Sequence, residues 1–321
     1  MSETDGAAGL EKVVAACQLG SAFAAILREA GIETRVHGPD RPPWLPDPDV
    51  NVIVTQPRCW ADAPQEQPPE WPGAVRFIQL GSAGIDGYPR WMFNGPVVAT
   101  SRGVAAPPIS EYVLAAMLTV AKEFDRLAVR GPAGWKARRL GGLYGARLGL
   151  VGYGAIGEAV ATRARAFGMK VSALRRRGAV AAEGVEPAAS VAELAATCDH
   201  LVLALPLTPE SRGIISREVL MQAKPGLHLV NISRGGLIDQ QALLEALDNG
   251  PLGFATLDVA EPEPPPEGHP FYSHPKIRLT PHISWSDSDT QVRLGEKTIA
   301  NIRAFAAGRA PRDVVGPDSA Y

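Results

Sequence analysis

The sequence predicts an α/β protein of two doubly wound domains with a cleft between them. Two series of short apolar β-type runs, one before residue 101 and one after 147, alternate with helical stretches, and a long helical segment lies between the series. The length of 321 residues is ample for two domains at about 100–200 residues each. With 45% apolar and 21% charged residues the chain can bury two cores and lacks the make-up of a disordered protein.

The first series comprises Val13–Ala15, Ile32–Val36, Val50–Val54, Val75–Leu80 and Val97–Thr100. Between its first two runs lies a helical stretch that Gly31 would close. The Pro-rich segments 39–48 and 64–72 read as loops, because Pro removes a donor from a ladder or a helix interior. Ser110–Arg130 follows, with Val113, Met117, Val120, Phe124 and Leu127 at helical spacing. The second series is Leu148–Val151, Val171–Leu174, Leu201–Leu205, Leu227–Ile232, Phe254–Val259 and Ile277–Thr280. Its clearest helices are Glu158–Phe167, stopped by Gly168, and Gln240–Leu247, started by an Asp239 N-cap and stopped by Gly250. A last amphipathic helix carries Val292, Gly295, Ile299, Ile302 and Phe305, and is expected to return to the first domain. Residues 1–100 plus 288–321 would then form one domain and 101–287 the other.

Charge and composition exclude several classes. Lys+Arg 32 against Asp+Glu 34 leaves −2, without the cationic excess that phosphate-backbone binding needs, so nucleic acid is a poor partner. Cys17, Cys59 and Cys198 are widely spaced, with no CxxC and no zinc-type His pair, which points to a reducing compartment and no metal. The opening MSETDGAAGLEK carries acids where a secretory signal carries bases. The longest apolar run, Tyr112 to Ala121, is half of a membrane span. The cytoplasm is the expected compartment.

The sharpest local signal is Leu148-Gly149-Leu150-Val151-Gly152-Tyr153-Gly154-Ala155-Ile156-Gly157, a GxGxxG directly after a strand and opening a helix. Gly152 suits the tight turn, Gly154 lets backbone approach a pyrophosphate, and Gly157 allows close helix–strand packing. The amides of Ala155 and Ile156 would face the phosphate. Where an NAD site carries an acid at the end of the next strand, this chain reads Arg175-Arg176-Arg177. Guanidinium groups there suit a 2′-phosphate, so NADP(H) is expected over NAD(H). The alternative is a solvated basic turn that tolerates either cofactor.

Arg234, Glu263 and His282 fall at or just past the ends of the last strands, where open α/β sheets put their ligands. They stand in VNISRGGLID, LDVAEPEP and LTPHI. Together with GSAGID at 81–86, ISEYVLA at 109–115, LYGARLGLVGYGAIG at 143–157 and LPLTPESRGII at 205–215, these segments resemble the D-isomer-specific 2-hydroxyacid dehydrogenases, the family of glyoxylate/hydroxypyruvate reductases and phosphoglycerate dehydrogenases. The likeness covers nearly the whole chain and is weakest in the first seventy residues.

The resemblance implies two Rossmann/flavodoxin-like domains and reduction of a 2-keto acid by hydride from the nicotinamide. His282 would supply the proton, and Glu263 would bond its other ring nitrogen so that the ring carries that proton when reduction begins. Arg234 would clamp the carboxylate and polarise the keto oxygen, and the Ser82, Ala83 and Gly84 amides would complete the carboxylate site as the cleft closes about connections near 101 and 287. Leu205, Pro206, Ile232, Ser233, Asp258, His282 and Ser284 would line the cofactor, Asp258 at the nicotinamide carboxamide. Glu261 and Glu263 both precede Pro; the family's spacing from Asp258 selects Glu263, with Glu261 the alternative. Glu263 stands where formate dehydrogenases carry Gln, and the GSAGIDG loop lacks the Lys of phosphite dehydrogenases, so neither substrate is expected. Trp285 either narrows the substrate pocket or packs at the hinge, and Trp91, Met92 and Phe93 either approach the substrate or a partner subunit or belong to the core.

The expected activity is reversible reduction of a glyoxylate- or hydroxypyruvate-like keto acid to a D-2-hydroxy acid, in a cytoplasmic homodimer joined through the cofactor domain and its 110–130 helix. Two rivals are a dinucleotide-binding corepressor or sensor without turnover, and a dehydrogenase of a larger or phosphorylated 2-hydroxy acid, for which Arg76, Arg90 and Arg102 could hold an extra anion.

Overall fold

The computed structural model describes residues 12–175 and 182–319. In chain order the elements are β1 (Val14–Cys17), α1 (Ser21–Glu29), β2 (Glu33–Val36), β3 (Val52–Thr55), β4 (Phe77–Leu80) and β5 (Val97–Ala99). Then come α2 (Ala106–Lys122), α3 (Phe124–Leu127), β6 (Arg147–Val151), α4 (Ala155–Ala166), β7 (Lys170–Leu174), β8 (Val185–Pro187), α5 (Val191–Thr197) and β9 (His200–Leu203). The remainder is α6 (Arg217–Met221), β10 (His228–Asn231), α7 (Gln240–Asp248), β11 (Phe254–Leu257), β12 (Ile277–Leu279), α8 (Thr290–Ala306) and β13 (Val314–Val315). The chain divides into two compact units, one running up to Val104 and resuming at Asp287, the other Ala105–Ser286.

The first unit holds a sheet of order β13-β5-β4-β3-β1-β2, parallel except for β13. Apart from β13 this is the flavodoxin-like order. β1, β3 and β4 are buried on both faces, as the inner strands of a parallel sheet require. One face packs on Phe23, Leu27, Leu294 and Ile302 of α1 and α8. The other is covered by Trp60, Trp71, Trp91 and Met92, so Trp91 and Met92 belong to the core, with Phe93 packed against it. Gly31, at φ 82°, lies just past α1 as expected.

α8 closes this unit from the far end of the sequence. Gly295 lies where a Cβ would come within 2.9 Å of Ile26, Phe305 stacks on Phe77 at 5.4 Å, and Asn301 Nδ2 donates to Gln79 Oε1 at 2.8 Å. Arg293 Nε donates to the Val104 carbonyl at 3.1 Å, and its Nη2 meets both carboxylate oxygens of Asp287 at 2.7 Å. Thr290 and Arg293 hold the Asp287 carboxyl down at about 2. A single side chain thus ties the residue where the chain leaves this unit to the residue where it returns.

The second unit holds a fully parallel sheet of order β12-β11-β10-β9-β6-β7-β8. Counted from β6 this is the Rossmann order, extended by one strand, with its reversal between β6 and β9. α2 and α4 cover one face through Val113, Met117, Val160 and Ala164. Leu194, Leu220, Leu243 and Leu247 of α5, α6 and α7 cover the other. Asp239 caps α7 by accepting from the Ala242 amide at 3.0 Å, a bond worth about 1 kcal/mol in such positions. Gly250 lies past the helix, where a Cβ would sit 2.8 Å from the Ala246 Cα.

The predicted boundaries move in informative ways. The central helix starts at Ala106, because Pro107 and Pro108 occupy its first turn, where their missing N–H groups cost nothing. It ends at Lys122, since Glu123 takes a left-handed φ of 51°. Several predicted runs extend past their strands because Leu205, Ile232, Val259 and Thr280 have already left the ladder for the loops at its C-terminal edge. Among the described residues no helix is long and apolar enough to cross a membrane.

Candidate active site

The cofactor-type residues gather where the second sheet reverses. Gly152 follows β6 with φ 103°, and a Cβ there would lie 2.3 Å from the Ala204 carbonyl oxygen, so only glycine fits between the ends of β6 and β9. A Cβ on Gly157 would lie 2.6 Å from the Gly152 carbonyl, which is the close helix–strand approach the motif predicts. Gly154 immediately precedes α4, and no side chain caps that helix. The Ala155 and Ile156 amides thus stand at an uncapped N-terminus with the dipole behind them, an arrangement that fits the pyrophosphate of a dinucleotide. Arg175 follows β7 and is exposed, while Arg176 and Arg177 lie outside the described residues.

Next to this turn, the ends of β9 and β10 are fastened together. Ser233 Oγ donates to the Leu205 carbonyl, and Ser211 Oγ donates to that of Pro206 at 2.8 Å. Ile232 is buried. Asn231 shapes the turn that carries Arg234: its Oδ1 accepts from the Ser233 amide at 3.0 Å and its Nδ2 donates to the Arg234 carbonyl at 2.8 Å. Arg234 is half-buried, and its Nη1 donates to the Ser233 carbonyl at 2.7 Å. The turn presses on the chain leaving β11, since a Cβ on Gly235 would sit 2.1 Å from the Ala260 carbonyl carbon.

Asp258, one residue past β11, organises the loop that carries His282. Its carboxylate accepts from Thr280 Oγ1 at 2.6 Å and from the Ile283 and Ser284 amides at 2.9 Å each. Its backbone carbonyl accepts from the His282 amide at 2.9 Å. Tyr112 of α2 joins through its hydroxyl, 2.7 Å from Thr280 Oγ1, and burial pushes that phenol above its ordinary range. Asp258 and Ser284 are both buried, so in this structure the two residues expected along the cofactor hold the His282 loop.

His282 and Glu263 meet. Nδ1 of His282 lies 2.6 Å from Glu263 Oε1; the carboxylate accepts, so Nδ1 carries the hydrogen and Nε2 is the remaining ring nitrogen. Their side chains are 38% and 41% exposed, open enough to meet a ligand. Glu261, the alternative acid, is engaged elsewhere: Arg212 Nη1 donates to its Oε2 at 2.7 Å, and the pair raises the Arg212 guanidinium above its usual range. His282 has φ 49°, a left-handed conformation that costs an L-residue about 1–2 kcal/mol. A cavity of about 1240 Å³ includes Asp258, Glu263 and His282 in its lining, together with Phe254 and Lys276.

In the first unit, Ser82, Ala83 and Gly84 follow β4 at the C-terminal edge of its sheet. Ser82 Oγ donates to the Gly84 carbonyl at 2.7 Å and lies 3.2 Å from the Tyr88 hydroxyl, a phenol that burial pushes up. The loop is thereby curled on itself, with the Ser101 amide on the Ser82 carbonyl at 3.0 Å. Arg90 is paired on the surface with Asp318.

The comparisons with known proteins bear on this arrangement. The family model described as "D-isomer specific 2-hydroxyacid dehydrogenase, NAD binding domain" matches residues 114–284, more than half of the chain and within the second unit. The chain belongs to the D-isomer-specific 2-hydroxyacid dehydrogenase family. Its second unit is that family's NAD-binding domain. The glycerate dehydrogenase of Methylorubrum extorquens is 37% identical over 176 residues, 53% of each chain, so the chain spans about half the length of that relative. The glyoxylate/hydroxypyruvate reductase A of Serratia proteamaculans is 30% identical over 296 residues, 85% of this chain and 94% of that one. A crystal structure of the D-isomer specific 2-hydroxyacid dehydrogenase from Xanthobacter autotrophicus Py2, in complex with NADPH and MES, matches at a TM-score of 0.80 with 25% identity, over 97% of this chain and 100% of that one.

Several residues of this dehydrogenase-family site were not read from the sequence. Arg212, Tyr112, Thr280 and Asn231 act through contacts made only after folding; the Tyr112–Thr280 bond spans 168 positions. Asn231 alone left a local signal, as a polar residue at the end of an otherwise apolar strand.

Proposed function

We propose that the protein reduces small 2-keto acids to D-2-hydroxy acids, reversibly and with NADPH preferred over NADH, a glyoxylate- or hydroxypyruvate-like acid being the first substrate to try. The observation that carries this reading is the 2.6 Å contact between His282 Nδ1 and Glu263, on the same sheet edge as the uncapped helix behind Gly154. The bound nicotinamide would supply the hydride. Gly152, Gly154, Ala155, Ile156 and Gly157 would hold its pyrophosphate, and the exposed Arg175, with Arg176, its 2′-phosphate; that charge is the basis for preferring NADPH.

In this reading Glu263 holds Nδ1–H and so fixes both the tautomer and the direction of Nε2. Nε2 then delivers a proton to the developing alkoxide during reduction and takes one back during oxidation, the usual task of a positioned imidazole. Arg234 supplies the fixed cation for the carboxylate and draws charge toward the keto oxygen, with Asn231 and Gly235 holding its turn. Asp258, Thr280 and Tyr112 keep the His282 loop in register with the sheet. The protein would act as a homodimer through its NAD-binding unit. Support comes from residues 128–139, which follow α3, are nearly all exposed and carry Trp135 at 83% exposure. The cytoplasm remains the proposed compartment, and the three free thiols accord with it.

Initial rates of NADPH and NADH oxidation, measured side by side with glyoxylate, hydroxypyruvate, pyruvate, phenylpyruvate and 2-ketoisovalerate, test the proposal. Turnover with NADPH on a small keto acid is expected. Binding of both cofactors without turnover on any of the five acids would refute it.

A further inference from the structure

His282 is held at its amide, its ring and its carbonyl. Its amide is held by the Asp258 and Thr280 carbonyls, at 2.9 and 3.0 Å, and its ring by Glu263. The remaining handle is its carbonyl, which accepts from Trp285 Nε1 at 2.8 Å. That bond falls on a residue with φ 49°, in a region where an L-residue persists only if its surroundings hold it. The amides of Ile283 and Ser284 are spent on Asp258, so the short chain from 282 to 285 is pinned at both ends, and Trp285 pins the end that carries the histidine. Trp285 is 45% exposed and belongs to none of the buried core clusters.

We infer that Trp285 is a positioning residue: its indole N–H holds the His282 carbonyl and thereby keeps the left-handed turn that aims the imidazole at Glu263. This rests on the proposed role of His282 in keto-acid reduction. An imidazole that swings on a loosened backbone keeps its chemistry and loses its aim, so kcat suffers while binding does not.

Trp285→Phe keeps an aromatic ring and removes the donor. Expected is a fall in kcat of about tenfold, with KM for the keto acid and Kd for NADPH within about twofold. Trp285→His, which restores a ring N–H, should retain more kcat than Trp285→Phe. Unchanged kcat would overturn the inference, and so would a rise in KM alone, which would make Trp285 a wall of the substrate pocket. A wild-type chain that turns over no keto acid would sink the functional reading instead. In that case ¹⁵N imidazole spectra of the wild type and Trp285→Phe, assigned with His282→Gln, decide the positioning by themselves: a moved Nδ1 resonance supports it and superimposable spectra refute it.

Discussion

At the N-terminal edge of the second sheet, His200 and His228 open β9 and β10 side by side; at the opposite edge, His282 follows β12. The first two are buried, with their Nδ1 atoms 3.1 Å apart and His228 Nε2 3.0 Å from Thr256 Oγ1. Two imidazoles sharing one hydrogen away from water cannot both be cations, and burial pulls His200 down to about 4 and His228 well below its ordinary range. His282 has a carboxylate for a partner and an open face. The same side chain is a structural hydrogen-bonding piece at one edge and, in the proposed function, a proton carrier at the other, and what separates them is the partner and the access to water.

The sharpest way to break this contrast is to remove the ring at the open edge. His282→Ala should lower kcat by about two to four orders of magnitude, with NADPH binding nearly intact by fluorescence titration. Normal turnover would strip the open edge of its role. At the closed edge the expected effect is on stability. Both buried rings stay neutral in the folded chain and take up protons near pH 6.5 when unfolded, so their contribution is complete above that value and is lost as pH falls toward about 4. Thermal melts between pH 7 and 4.5 should show a decline on the order of 3 kcal/mol or less from His200. A His200→Gln variant should flatten it, and an unchanged slope would point to another group.

The next effect is smaller and tests the partner itself. Glu263→Gln should reduce kcat by about tenfold or more, whereas Glu261→Gln, which alters the pair with Arg212, should leave it within about twofold. Equal losses in the two variants would mean the wrong carboxylate has been assigned. The smallest change concerns the cofactor end of the same edge: Arg175→Asp should shift the NADPH to NADH ratio of kcat/KM by about tenfold toward NADH. A constant ratio would make the basic turn mere surface.

Much of this was legible in the sequence. The order of strands, the GxGxxG turn and the three polar residues past the last strands follow from apolar runs and from glycines that only one backbone geometry explains. The short strands β8 and β13 did not show, because three- and two-residue edge segments with exposed side chains carry no periodic signal. The helix start at Ala106 had left its mark in Pro107-Pro108, whereas a helix ended by a left-handed Glu123 leaves none. The family's spacing had already selected Glu263 over Glu261, but the Arg212 pair that engages Glu261 and the carbonyl that Trp285 reaches needed the structure. Contacts of this kind are set by tertiary placement and are invisible to spacing.

The bond from Arg293 to both Val104 and Asp287 also bears on how the chain is assembled. The second unit is continuous in sequence, whereas the first is interrupted by it and lacks α8 and β13 until the second has been made. β1 to β5 are therefore made early but wait for a helix encoded far downstream. The entropy of closing so long a loop would burden that wait. Once the inserted unit has folded, its own compactness brings the two crossing points together, and the closure left for α8 is short. The unit that carries the nucleotide-type turn would thus serve, during folding, as the splint on which the other is completed.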